Sequence, residues 1–246
     1  RMVAPLQATD VGTKEVDFLV FNFSTSQYEL RKAVLKAIGT SCYVFVARDS
    51  ENVGGVNSAT PGLVRKTFDE KIYPLVSRWF GTVNLTDEMQ LPDQKIYILL
   101  LDIRDGLSGG YVAGYFDSAD LQPEPQYEGN RMPVFFMDTH PGYPGDPSDK
   151  NNEFYRTLAH EFQHMVNFSR HLSPHEQEER WIDEGLSGYA EYLFSEGLGG
   201  AGVPPAPHLS RFLEQPDIVL TDSSEAEWFS EATLFRRYGA SFLFIY

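Results

Sequence analysis

Leu158-Ala159-His160-Glu161-Phe162-Gln163-His164-Met165 is the stretch from which the rest of the chain can be read. It carries His-Glu-x-x-His inside a run of helical character. Positions i and i+4 lie one turn apart on the same face of a helix, so the imidazoles of His160 and His164 can converge on one point. Zinc accepts imidazole nitrogen at about 2.0–2.1 Å, a reach that two histidines one turn apart satisfy. Glu161 lies about a hundred degrees round the helix, badly placed to join a ligand set but near enough to exchange a proton with a water in the site. An accidental match would leave the two histidines on a solvated face. The flanks argue otherwise: Phe154, Leu158, Phe162, Met165, Val166 and Phe168 form an apolar stripe, so the helix packs on a core and its histidines need partners. Asn151 or Asn152 supplies the N-cap, after the Pro/Gly/Asp-rich stretch Pro141–Asp149.

A tetrahedral catalytic site takes three protein ligands and leaves a fourth position for water. The extension His-x-x-Gly-x-x-His fails, because position 167 is Asn and position 170 is Arg. His171 and His175 fall beyond the helix at spacings without a mechanical rationale and read as surface residues. A Glu from a second helix remains. Trp181-Ile182-Asp183-Glu184-Gly185-Leu186-Ser187-Gly188-Tyr189-Ala190-Glu191 offers one, with nineteen residues between His164 and Glu184, enough for a loop and an antiparallel return.

His-Glu-x-x-His followed by Trp-x-x-Glu-Gly-x-x-x-Tyr-x-Glu resembles the gluzincins, the thermolysin-like zinc peptidases. With the looser matches at Phe68–Pro74, Lys95–Asp102 and Gly109–Asp120, the chain is most similar to the hyicolysin family of bacterial secreted metallopeptidases, over most of Phe68–Tyr246. The resemblance implies His160, His164 and Glu184 as zinc ligands and Glu161 as catalytic acid and base. Gly188 departs from the thermolysin pattern, which has Asp there; the supporting role of that Asp passes to Asp183 or Glu191. The resemblance further implies an oxyanion donor from the helical lobe, for which Tyr238 is the candidate and Tyr189 a weaker rival. It implies peptide or protein substrates in a cleft, and an extracellular location. Endopeptidase is the favoured activity. An aminopeptidase is the alternative, weakened by the lack of a Gly-x-Met-Glu-Asn string. A non-catalytic zinc-dependent adhesin or binding module is a third, weakened by Glu161, which a structural site does not need.

The formal net charge of −15 over 246 residues repels nucleic acid and anionic membranes, and no apolar run approaches the length of a membrane span. At 42% hydrophobic, the chain can build one catalytic domain of two lobes. Arg1-Met2 reads as the start of a processed or truncated product. The segment Glu225–Tyr246 is still in helical pattern where the sequence stops, so the native polypeptide is expected to continue. Cys42, in an apolar run, reads as a buried small hydrophobe. Asp146, Asp149, Asn151 and Glu153 are oxygen-rich but lack EF-hand spacing; a solvated acidic loop is the reading, with Ca2+ the alternative.

Along the chain, Val16–Phe23, Tyr28–Ile38 and Tyr43–Ala47 read as strands, the second ambiguous because Ser26-x-x-Glu29 also resembles a capping box. Ser50–Pro61 is a loop. Leu63–Phe80 has helical periodicity, with a kink at Pro74 and a stop at Gly81. Lys95–Asp102 is a strand buried on both faces, and Met132–Met137 is another. Gly109–Phe116 is Gly-rich and strand-like; it is expected to be the exposed edge, docking substrate antiparallel along Gly110, Tyr111, Val112, Ala113 and Gly114. Gly197–Pro207 is a connection. The fold class is α+β: a mixed-sheet lobe to about residue 150, a mainly helical lobe from about 151 to 246, and the zinc helix between them.

Overall fold

Period-two patterning in the first half and period-3.6 patterning in the second set the architecture. The computed structural model describes residues 4–51, 56–85, 91–106, 111–122, 128–171, 178–221 and 233–246. Strands β1 (Glu15–Asn22) and β2 (Gln27–Ile38) form an antiparallel hairpin with Glu15 opposite Val34 and Asn22 opposite Gln27. The ambiguous segment is therefore strand, because its apolar residues pair across a ladder. β3 (Cys42–Ala47) returns after Gly39-Thr40-Ser41, and the backbone N–H groups of Thr40 and Ser41 both donate to the Asp69 carboxylate at 2.8 Å. β4 (Ile96–Leu101) lies between β3 and β6 (Val134–Asp138), parallel to both, and all six of its residues are buried, as its unbroken apolar run requires. β5 (Gly114–Phe116) pairs antiparallel with β6 and closes the order β1-β2-β3-β4-β6-β5.

The sheet curls until its two edges meet through side chains. Tyr115 on β5 accepts the backbone N–H of Phe21 on β1 at 3.0 Å, and Asn130 bonds both the N–H and the carbonyl of Leu19, at 2.7 and 2.8 Å. These side chains protect the β1 edge from pairing with another chain. Alternation then sorts the core. Phe18, Phe45, Tyr97, Leu99 and Phe136 pack on one face. Val44, Val46, Ile98, Leu100, Phe135 and Met137 pack on the other, beneath the helices.

Helix α1 (Thr60–Thr67) runs through a π turn at Phe68–Ile72 into α2 (Tyr73–Phe80), and Gly81 ends the run with φ 97°. The kink expected at Pro74 takes the form of that π turn immediately ahead of it. Helix α3 (Glu153–Arg170) lies across the sheet, followed by α4 (Arg180–Gly197), α5 (Ala206–Glu214) and α6 (Leu234–Ile245). Asn152 is the N-cap position of α3, although its side chain does not cap. The Gly197–Pro207 connection and the length of the edge strand are corrected. α5 begins inside the Gly197–Pro207 stretch, because Pro suits the first helical turn even though it breaks an interior. The final helix starts at Leu234; of the expected Glu225–Tyr246 segment, residues 225–232 lie outside the described residues. Only residues 114–116 of the expected edge strand join the ladder, Tyr111–Ala113 run on outside it, and Gly109 and Gly110 lie outside the described residues. The fold is thus α+β, a curled mixed sheet in the N-terminal half and helices in the C-terminal half, consistent with a thermolysin-like fold. No helix among the described residues is long and apolar enough to cross a membrane.

Cys42 is fully buried, with its Sγ 3.9 Å from Asp69, and burial pushes its thiol pKa up. Cys42→Ala is expected to cost about 1 kcal/mol of stability, read by chemical denaturation, and to leave metal content unchanged. Loss of metal on thiol modification of the native protein would contradict this reading.

Candidate metal centre

α3 and α4 pack side by side, and three of their side chains meet. His160 Nε2 and His164 Nε2 are 2.9 Å apart, and Glu184 Oε2 is 3.5 Å from each. Ligands on a tetrahedral zinc stand about 3.3 Å from one another, so the triangle already has the dimensions of three corners of such a site. The donor chemistry agrees. Glu184 is buried, and its Oε2, turned towards both imidazoles, has no hydrogen-bond partner. A buried carboxylate oxygen left bare is costly unless a cation or a donor meets it. Among the described residues this is the one group of three or more His, Cys, Asp or Glu side chains arranged to hold a metal.

Two further carboxylates of α4 orient the imidazoles from behind. Glu191 Oε1 meets His160 Nδ1 at 2.8 Å, and Asp183 Oδ2 meets His164 Nδ1 at 2.8 Å. Both contacts leave Nε2 facing Glu184. Asp183, Ser187 and Glu191 follow one another at four-residue spacing, so one face of α4 delivers them all. The carboxylates are themselves held: Arg156 donates to Glu191 at 2.9 Å and Asn167 to Asp183 at 2.7 Å. Ser187 Oγ lies 3.0 Å from His164 Nδ1 and donates to Gln163. Arg156 and Asn167 were not anticipated. Their signal was available: Arg156 precedes His160 by one turn and Asn167 follows His164 by three residues, so both flank the ligand face.

Burial opposes charge on every member of this group, but the partners prevail. Glu184 and Glu191 hold the His160 pKa up at about 9, and Asp183 and Glu184 raise that of His164. The two imidazoles in turn hold Glu184 well below the usual carboxylate range. Glu161 differs. It is 6% exposed, and burial raises its pKa more than the nearby histidines lower it.

Tyr238 reaches the group from α6, its hydroxyl donating to Glu184 Oε1 at 3.1 Å. Gly185 permits that approach: a Cβ there would lie 2.7 Å from the Ser241 carbonyl oxygen, so only a bare α-carbon lets α6 settle on α4. Burial and Glu184 push the Tyr238 pKa well above its ordinary value, so the phenol keeps its proton. Tyr189 lies elsewhere, its ring stacked on Tyr192 at 6.1 Å and packed edge-on to Trp79. His208 on α5 was missed. Its ring lies 5.3 Å from that of Tyr238, and burial lowers its pKa, which keeps it neutral. It stands one residue beyond the Gly197–Pro207 stretch read as a connection, where no periodicity marked it.

His171 is outside the cluster and closes the end of α3, its Nδ1 2.9 Å from the Asn167 carbonyl; His175 lies outside the described residues. The acidic loop before α3 spends its oxygens locally: Asp146 accepts from Ser148 and Asp149 from Asn151, while Glu153 accepts from Tyr111. On the sheet side, Gly114 of β5 lies against α3, where an added Cβ would sit 3.0 Å from Thr157 Cγ2. No second strand pairs with β5 on its outer side among the described residues.

No protein-family model matches the chain. It is similar to the neutral metalloprotease ShpI of Staphylococcus hyicus, at 31% identity over 242 residues, covering 92% of this chain and 49% of that protein. The chain therefore spans about half the length of the curated relative it matches. The similarity supports a metallopeptidase family.

With the His160 pKa held near 9 by its acidic neighbours, the metal-free pair carries protons at neutral pH that a metal must displace. Zinc affinity is therefore expected to rise with pH between about 6 and 8. Calorimetry in buffers of different ionisation heat should show proton release on zinc uptake; heats independent of the buffer would contradict it. Asp183→Asn and Glu191→Gln are each expected to weaken zinc about 10–100-fold.

Proposed function

We propose, taking that similarity as the premise, that the chain is the catalytic part of a zinc-dependent endopeptidase of the hyicolysin group of gluzincins, acting outside a bacterial cell. The observation that carries the reading is the bare Oε2 of Glu184, 3.5 Å from each of two Nε2 atoms. His160, His164 and Glu184 would hold the metal, with Glu191 and Asp183 fixing the imidazoles. When bound, zinc supplies Lewis-acid chemistry: it polarises a carbonyl and lowers the pKa of water from 15.7 to about 7.

The chain's own residues do the remainder. Glu161, its carboxyl pKa raised by burial, accepts the proton of the attacking water as the oxygen adds to the scissile carbonyl. It then delivers that proton to the leaving nitrogen as the C–N bond breaks. Tyr238 offers its O–H to the negative oxygen that develops on the carbonyl, and burial keeps that donor protonated. His208 packs on Tyr238 and steadies the ring. The free side of β5 supplies backbone groups along which an extended peptide docks, an affinity that makes no demand on side chains.

Glu184→Ala removes a proposed ligand, so zinc affinity should fall by orders of magnitude. Glu161→Gln removes no ligand and should keep zinc, while turnover of an internally quenched peptide blocked at both ends falls by at least about 10²–10⁴-fold. Metal analysis beside that assay, with and without chelator, separates the two. Zinc lost from Glu161→Gln but retained with activity in Glu184→Ala would reverse the assignment.

A further inference from the structure

A cavity of about 250 Å³ lies at the start of α3, lined by Tyr111, Pro141, Tyr143, Asn152, Glu153 and Phe154. It is separate from the metal cluster, yet the helix connects them. Glu153 precedes His160 by seven residues, which on an α-helix is two turns along the same face. Tyr111 reaches the cavity from the residues that lead into β5, and its hydroxyl donates to Glu153 Oε2 at 2.6 Å. The cavity thus sits where the edge-strand segment and the ligand-bearing face of α3 come together.

Its polar groups want a donor. Asn152 Oδ1 is buried without a hydrogen-bond partner, and Tyr111 serves only one of the two oxygens of Glu153. The Asn152 amide cannot be turned over to relieve this. Its Nδ2 donates to the Asp146 carbonyl at 3.4 Å, and reversal would set two acceptors face to face. Charge points the same way. The N-terminus of α3 contributes roughly half a positive charge, and the full negative charge of Glu153 exceeds it. The remaining walls are the rings of Tyr143 and Phe154 and the Pro141 ring, which suit an aliphatic stem.

We propose that this cavity is a specificity subsite for an arginine or lysine side chain of the peptide substrate, its cationic head bonded to Glu153 and Asn152 Oδ1. The proposal rests on the endopeptidase reading. A peptide docked antiparallel to β5 runs from Phe116 towards Tyr111, so the residues over the cavity lie C-terminal to the scissile bond. Seven residues of helix span about 10 Å, and an extended peptide advances about 3.3 Å per residue. The basic residue therefore stands second or third after the cleaved bond.

The test uses zinc-loaded protein and fluorogenic peptides blocked at both ends, with one Arg at each of three positions on either side of the cleaved bond. Each is paired with its citrulline counterpart, which keeps the shape and removes the charge. The Arg-to-citrulline ratio of kcat/KM should reach about tenfold at the second or third position after the cleaved bond and stay near one elsewhere. Glu153→Gln should bring that ratio towards one, and Asn152→Asp, which adds a carboxylate, should raise it. If Glu153→Gln does not fold, the rise or its absence in Asn152→Asp decides. A ratio near one at both positions in the unaltered protein, or a ratio that survives Glu153→Gln, would overturn the subsite. If no peptide is cleaved, the endopeptidase reading fails on its own, and competition against a fluorescein-labelled Arg peptide judges the cavity. Arg selectivity that Glu153→Gln abolishes keeps the subsite; equal binding of Arg and citrulline peptides removes it.

Discussion

Negative charge brought out of water organises this molecule. Glu161, Glu184 and Glu191 stand with Asp183 around two imidazoles, and Arg156 is bonded to Glu191. Such a set is expensive alone, because each burial costs several kcal/mol that neighbouring carboxylates cannot return. A divalent cation reverses the account, turning mutual repulsion into shared attraction. The helices that enclose the group are packed closely enough to hold the acids together, and this is what gives the site a fixed shape.

That packing originates in the sheet. α3 rests on a floor of Phe135, Met137, Ile98 and Leu100, and the rings of Phe68 and Tyr73 press on Phe162 at centroid distances of 5.0 and 5.5 Å. Phe162 lies between the two histidines in sequence and on the opposite side of the helix, so the contact that buries it also aims them outward. α4 must then approach α3 with its acidic face, and α6 must approach α4 at Gly185. The chain of dependence runs from an apolar floor to a polar site, one helix at a time.

Much of this was legible before any coordinates. The spacing His160 to His164 and the acidic face of Trp181–Glu191 marked the residues that meet, and the unbroken run Ile96–Leu101 marked the central strand. The helix at Ala206–Glu214 was not legible, because prolines around its start look the same whether they end one element or begin another. His208 was hidden for that reason. The cavity at Glu153 was also beyond reach, since Tyr111, Tyr143 and Glu153 become neighbours only once β5 and α3 are laid together. Periodicity reveals the face a helix shows, but not which distant loop covers its first turn.

The π turn at Phe68–Ile72 carries a consequence for how this segment can change. Within it the Tyr73 N–H bonds the Phe68 carbonyl, so residues five apart complete one turn. In a regular α-helix those two positions would point some 140° apart, and both rings could not reach Phe162. The additional residue is thus a phase corrector, setting the register of everything that follows it up to Gly81. Point substitutions on the outer side of this helix leave the phase intact. Deletion of a single residue there would restore ideal helical geometry and swing one aromatic ring away from the back of the metal-site helix, making the locally better helix the globally worse one.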